Sequence, residues 1–89
     1  MVTQEVPIVN RLGLHARAAA KFVNLAARFE SDVQLKRGNQ QVNGKSIMGV
    51  MMLAAARGMT ITITASGSDE EDAVRYLTEL VADRFGEEE

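Results

Sequence analysis

Residues 59–81 read Met-Thr-Ile-Thr-Ile-Thr-Ala-Ser-Gly-Ser-Asp-Glu-Glu-Asp-Ala-Val-Arg-Tyr-Leu-Thr-Glu-Leu-Val, and the hydrophobic period changes in the middle of them. From Met59 to Thr64 the branched residues Ile61 and Ile63 alternate with Thr60, Thr62 and Thr64, the two-residue period of a strand with one buried face. Ser66-Gly67-Ser68 interrupts the run. Beyond it Ala73, Val74, Leu77, Leu80 and Val81 recur at helical spacing. Ser68 and Glu71 have the spacing of a capping box, and Asp69, Glu70, Glu71 and Asp72 place carboxylates at the positive end of that helix. Gly86 is the expected stop. A strand and a helix with one apolar face each bury those faces only against another element, which predicts a sheet layer packed on a helix layer.

The same two periods recur towards the N-terminus. Val33 and Leu35 alternate with Asp32, Gln34 and Lys36, Arg37-Gly38-Asn39 makes a turn, and Gln40 to Val42 return as a short strand. Asn43-Gly44 turns the chain again. Ser46 is placed to cap a helix over Ile47 to Ala56, and Gly58 lies where a left-handed C-cap takes glycine. Ala19, Phe22, Val23, Ala26 and Phe29 form a helical stripe within 16–29. Glu5 to Val9 reads as a first strand, with Val6 and Ile8 on one face and Pro7 suited to an edge. The order β-α-β-β-α-β-α predicts an α+β fold: an open-faced two-layer sandwich in which a four-stranded antiparallel sheet is covered on one side by three helices.

At 89 residues, residues 1–89 form one domain, because a second core would not fit. Ten Lys and Arg against twelve Asp and Glu give a formal charge of −2, without the basic excess of a nucleic-acid binder. The absence of cysteine removes disulfides and thiol chemistry, and one histidine is too few for a multi-His metal site. No apolar run approaches the roughly 20 residues of a bilayer span, and the N-terminus lacks a basic-then-apolar leader, so a cytoplasmic monomer without membrane insertion is expected. With no Trp and few other aromatics, the core is expected to rest on Val, Ile, Leu, Met and Ala. Glu87-Glu88-Glu89 reads as a solvated tail.

His15 stands between Gly13-Leu14 and the alanine-rich helix, at or beside its N-cap. The first-turn N–H groups, those of Ala16 and Arg17, are free to bind an anion, an interaction worth roughly 0.3–1 kcal/mol and up to about 2 when partly buried. The same positive end favours a neutral ring with a lone pair on one nitrogen. Such a ring beside an anion site can accept a phosphoryl group, and Arg17 can hold phosphate oxygens in its planar fork. A lone histidine at a helix start is more often a surface residue or a cap. No GxSxG or Walker-type loop points to hydrolysis.

Asn10-Arg11-Leu12-Gly13-Leu14-His15-Ala16-Arg17-Ala18-Ala19 resembles the active-site segment of the HPr family, phosphocarriers of the bacterial phosphoenolpyruvate-dependent phosphotransferase system. Asn43-Gly44-Lys45-Ser46-Ile47-Met48-Gly49-Val50-Met51-Met52-Leu53-Ala54-Ala55-Ala56-Arg57-Gly58 resembles its second signature, and the likeness runs along essentially the whole chain. The resemblance implies a carrier rather than a turnover enzyme, and no cofactor. Enzyme I would pass a phosphoryl group to the Nδ1 atom of His15, which would donate it to an EIIA domain. Arg17 matches the family's active-site arginine. Ala18 stands where the family often has proline, a residue that suits a first helical turn but is not required there. The chain also resembles the nitrogen-branch paralogue NPr, which serves a regulatory EIIA; Ser46 in its Asn-Gly-Lys-Ser context favours HPr proper. A reading from another class is a ferredoxin-like module that binds a small ligand, which predicts that no phosphohistidine forms. An interaction-only homologue would not need the His15–Arg17 pair, and both are present.

Ser46 needs no function beyond capping. The resemblance adds phosphorylation by HPr kinase/phosphorylase, which would bring about −1.5 to −2 charge to a helix start and repel an acidic docking face on enzyme I. Ile47, Met48, Val50, Met51, Met52 and Leu53 are too many apolar residues for one buried stripe. Spacing leaves Ile47, Met48 and Met51 as an exposed group near His15, soft enough to meet several partners, with Lys21 and Lys45 around it. A transient contact of this kind buries under roughly 1,200 Å². Gly49 costs about 1 kcal/mol relative to alanine inside a helix, which close packing or partner access would explain. Gly13 is expected to let the backbone approach a bound phosphate.

Overall fold

A computed structural model describes all 89 residues. The chain runs β1 (Val2–Pro7), α1 (Ala16–Ala26), β2 (Asp32–Arg37), β3 (Gln40–Asn43), α2 (Ile47–Met52), β4 (Thr60–Ser66) and α3 (Glu70–Ala82). The four strands form one antiparallel sheet in the order β1-β4-β2-β3. Its registers pair Val6 with Ile61, Leu35 with Ile63 and Val33 with Ala65, so all six apolar side chains share a face. That face is buried against Phe22 and Val23 of α1, Val50 of α2, and Val74, Leu77 and Val81 of α3. The predicted two-layer architecture and element order are therefore those of the molecule.

Several boundaries move for tertiary reasons. The first strand begins at Val2 rather than Glu5 because Val2 to Glu5 pair with Thr62 to Ala65, a pairing invisible in the polar run Thr3-Gln4-Glu5. Pro7 ends the strand on the sheet edge, where no ladder bond is required of it. The first helix stops at Ala26, and Arg28 and Phe29 donate three residues back in a tightened turn. The second helix ends at Met52, not Ala56. The Arg37 side chain takes the Leu53 carbonyl at 2.7 Å, and Ala54 adopts a positive φ of 50°. Ala55 is thereby turned inward to accept from Leu14 N–H at 2.9 Å. Gly58 consequently caps no helix; its N–H bonds to Ile8 O.

The capping box at Ser68 and Glu71 does not form. Asp69 is the N-cap of α3 and makes no side-chain bond to that helix. Its carboxylate faces the start of β2, and Ser68 Oγ donates to Glu30. Methionine is absent from the core, all five being exposed, and aromatic packing comes from the fully buried Phe22 and Phe85. Phe85 enters the core because Arg84 and Phe85 take left-handed φ values of 57° and 55°, which fold the chain back after α3.

Candidate active site

His15 is the N-cap of α1, with extended φ/ψ of −72° and 177°, and its carbonyl accepts the first helical bond from Ala19 N–H at 2.8 Å. The N–H groups of Ala16, Arg17 and Ala18 have no acceptor within the chain. The sequence named two of these donors, and Ala18 adds a third. The imidazole makes no cap bond and is about a quarter exposed, at 27%. Arg17 is exposed and forms no ion pair. An imidazole, three free N–H donors and an unengaged guanidinium thus lie together at the positive end of one helix, an arrangement suited to binding an anion.

The loop before α1 is fixed from several sides. Leu14 is buried. Gly13 adopts φ of +64°, and a Cβ there would lie 2.4 Å from Ala55 O. The glycine therefore serves close approach to the Ala55 backbone. Asn10 is fully buried and donates through Nδ2 to Gly13 O at 2.9 Å.

Glu87 changes the picture drawn from sequence. It is no solvated tail residue: its side chain is 16% exposed, and Oε2 lies 2.5 Å from His15 Nε2. Its Oε1 accepts from Asn10 Nδ2 at 3.0 Å. Partial burial pushes the Glu87 carboxyl up, but the bonds from His15 and Asn10 and the charges of His15 and Lys21 outweigh it and hold the group below its ordinary 4.5. The helix end is thus not the only field acting on the ring. Glu89 is exposed yet attached, accepting Arg11 N–H through its main-chain oxygen at 2.9 Å. Arg11, Leu12, His15, Ala16, Arg17 and residues 87–89 line one cleft. Spacing gave no sign of Asn10 or Glu87. Phe85 follows Val81 at helical spacing, but α3 ends at Ala82 and the buried ring returns to the core through a left-handed turn that brings the tail with it.

The other sequence candidates lie outside this cleft. Ser46 is the N-cap of α2, and its Oγ accepts from Gly49 N–H at 3.1 Å. A Cβ on Gly49 would meet the Ser46 side chain at 3.3 Å, so the close packing is within the cap itself. Ile47, Met48 and Met51 are exposed as predicted, with Met52 added to them, while Val50 and Leu53 are buried. The two lysine ammonium groups are engaged: Lys21 donates to Phe85 O at 2.7 Å and Lys45 to Phe29 O at 2.8 Å.

Residues 2–83 match the family described as the PTS HPr component phosphorylation site. The chain belongs to the HPr family. It is 52% identical to the phosphocarrier protein HPr of Cupriavidus necator over 89 residues, covering all of both chains. Identity to the HPr of Neisseria meningitidis serogroup A is 51%, again over both full chains. Among solved structures, the crystal structure of HPr-C-His from Thermoanaerobacter tengcongensis superposes with a TM-score of 0.96 at 43% identity, covering 100% of each chain. The open four-stranded sheet with three helices is therefore the HPr fold, and phosphocarrier identity follows from the family. No helix of this HPr-family chain is long and apolar enough to cross a membrane.

Proposed function

We propose that the chain is a single-domain phosphoryl carrier, residues 1–89, that accepts a phosphoryl group on His15 from phosphorylated enzyme I and donates it to EIIA domains. It acts as acceptor and donor in turn, not as a turnover catalyst, and works in the cytoplasm. The observation that carries this reading is His15 at the open end of α1, beside Arg17 and the unpaired N–H groups of Ala16, Arg17 and Ala18. Those donors take the charge of a phosphate bound at the ring, and Arg17 adds a charged fork. Ile47, Met48 and Met51 form the partner-docking surface, with Lys21 and Lys45 supplying positive charge from their hydrogen-bonded positions. Ser46 is the regulatory position, where a phosphate from HPr kinase/phosphorylase would set a negative charge next to that surface.

The test is phosphoryl transfer from phosphoenolpyruvate through purified enzyme I to wild type and His15→Ala. Acid-labile label on the wild type and none on the variant is the expected result. An unlabelled wild type, with enzyme I of proven activity, overturns the reading. Offering the labelled carrier to sugar-branch and nitrogen-branch EIIA domains then decides which branch it serves.

A further inference from the structure

The C-terminal strap reaches back to the ring on which the proposed function rests. Glu87 is held at both carboxylate oxygens, one against His15 Nε2 and one by Asn10 Nδ2, and Asn10 is itself buried and bonded to Gly13 O. The strap is anchored on either side of Glu87, by buried Phe85 with its carbonyl on Lys21 and by Glu89 O on Arg11 N–H. An ionised carboxylate only accepts hydrogen bonds. Nε2 therefore carries the proton of the pair, and the lone pair of a neutral ring resides on Nδ1, which has no partner within the chain.

We propose that Glu87 is a positioning residue for phosphoryl transfer, holding the His15 ring with its proton on Nε2 and balancing the charge the ring acquires when Nδ1 bonds to phosphorus. The inference rests on the carrier reading. In the step, the Nδ1 lone pair forms the N–P bond. The bond from phosphorus to the donor breaks, and its electron pair leaves with the donor. The Nε2 proton stays in its bond to Glu87, so the phosphorylated ring is an imidazolium paired with a carboxylate and no proton has to depart. Donation to the next acceptor is the reverse: the electron pair returns to Nδ1 and the positive charge on the ring disappears. Arg17 holds the phosphate oxygens; Glu87 acts only through the ring.

The experiment compares wild type, Glu87→Gln and Glu87→Ala in the full chain. Transfer rates from phosphorylated enzyme I are measured across donor concentration, and the ring N–H proton is observed by NMR. Losing one charge-assisted hydrogen bond is expected to slow transfer about tenfold in Glu87→Ala at saturating donor, with half-saturation unchanged. Glu87→Gln, which keeps a neutral acceptor, is expected between the two. The wild type should show a slowly exchanging, downfield Nε2–H resonance that Glu87→Ala loses. Wild-type rates and an unchanged resonance in Glu87→Ala overturn the role while leaving the carrier reading intact. A rate loss seen entirely as weaker half-saturation overturns it too, by making Glu87 a docking residue. A wild type that takes up no phosphoryl group overturns the carrier reading, and this role with it.

Discussion

Asp69 holds Ser31 by two hydrogen bonds, accepting from its N–H at 3.0 Å and from its hydroxyl at 2.5 Å, and takes a third from Glu30 N–H at 2.9 Å. The start of α3 is thereby tied to the segment that leaves α1. Gly67 makes the approach feasible, since a Cβ there would sit 2.7 Å from the Ser31 Cα. The far end of the helix that carries His15 is thus fastened to the start of α3.

That tie predicts an acid-sensitive fold. The Ser31 hydroxyl, then the Glu30 N–H, hold the Asp69 carboxyl below its ordinary 3.8. The N-terminal ammonium, then the Gly67 N–H, hold Glu70 below 4.5, and Glu87 is also lowered. A carboxylate depressed in the folded state contributes stability that is present above its unfolded value and lost as pH falls through the folded one. Urea unfolding should therefore give stability that is flat above about pH 5.5 and falls steadily below about pH 4.5. Asp69→Asn should be less stable at neutral pH and show a shallower acid limb; an unchanged limb would remove Asp69 from the account.

Phe85→Ala should cost about 3–5 kcal/mol in the same unfolding measurement, since a fully buried ring leaves a cavity among packed side chains. The positive φ values at Arg84 and Phe85 are sustained in part by that burial and by the Lys21 bond to Phe85 O. The variant should accordingly free the strap, which amide exchange at residues 86–89 would register. A loss below about 1 kcal/mol would mean that the ring is not packed as described.

What was legible in the sequence was what local spacing encodes. The alternation of Ile61 and Ile63, the stripe from Ala73 to Val81 and the Ser46 cap all act within a turn or a pleat, and each stands as read. His15 and Arg17 lie two residues apart, so their meeting at a helix start needed no tertiary information. The misreadings involve partners far along the chain. Asp69 answers to Ser31 rather than to its own helix, Arg37 ends α2 by taking Leu53 O, and Glu87 is 72 residues from His15. Hydrophobic period carries no information about such polar contacts.

Gly13→Ala should destabilise by more than about 2 kcal/mol. A left-handed conformation alone costs a non-glycine residue roughly 1–2 kcal/mol, and the new Cβ would also stand 2.4 Å from Ala55 O, which Leu14 N–H already binds at 2.9 Å. The loop has to shift to relieve the clash, and it carries both Asn10 and His15. Reduced phosphoryl uptake should accompany the loss of stability. Full uptake would show that the ring position does not depend on this contact.

Ser46→Ala should lower stability by about 1 kcal/mol, the ordinary cost of losing a capping acceptor, here the one at 3.1 Å from Gly49 N–H. Ser46→Asp keeps an acceptor and adds charge. It should therefore retain most of the stability while weakening half-saturation with enzyme I through repulsion, an effect that shrinks as salt rises. A salt-independent loss, or none, would count against an electrostatic role for this position.

Arg17 separates binding from folding most cleanly. Its guanidinium is exposed and engages no carboxylate, so Arg17→Ala should change stability by no more than about 0.5 kcal/mol. Phosphoryl transfer is another matter, because the planar fork can hold two phosphate oxygens at once and each charge-assisted bond is worth about 1.5–3 kcal/mol. Arg17→Ala is expected to slow uptake on His15 by at least about tenfold, and Arg17→Lys, a point charge without the fork, to recover only part of the rate. The unpaired N–H groups of the first turn remain in both variants, so uptake should fall without vanishing. Unfolding curves and uptake rates measured on the same preparations decide the matter: equal rates in all three chains would leave the helix end alone to bind the phosphate.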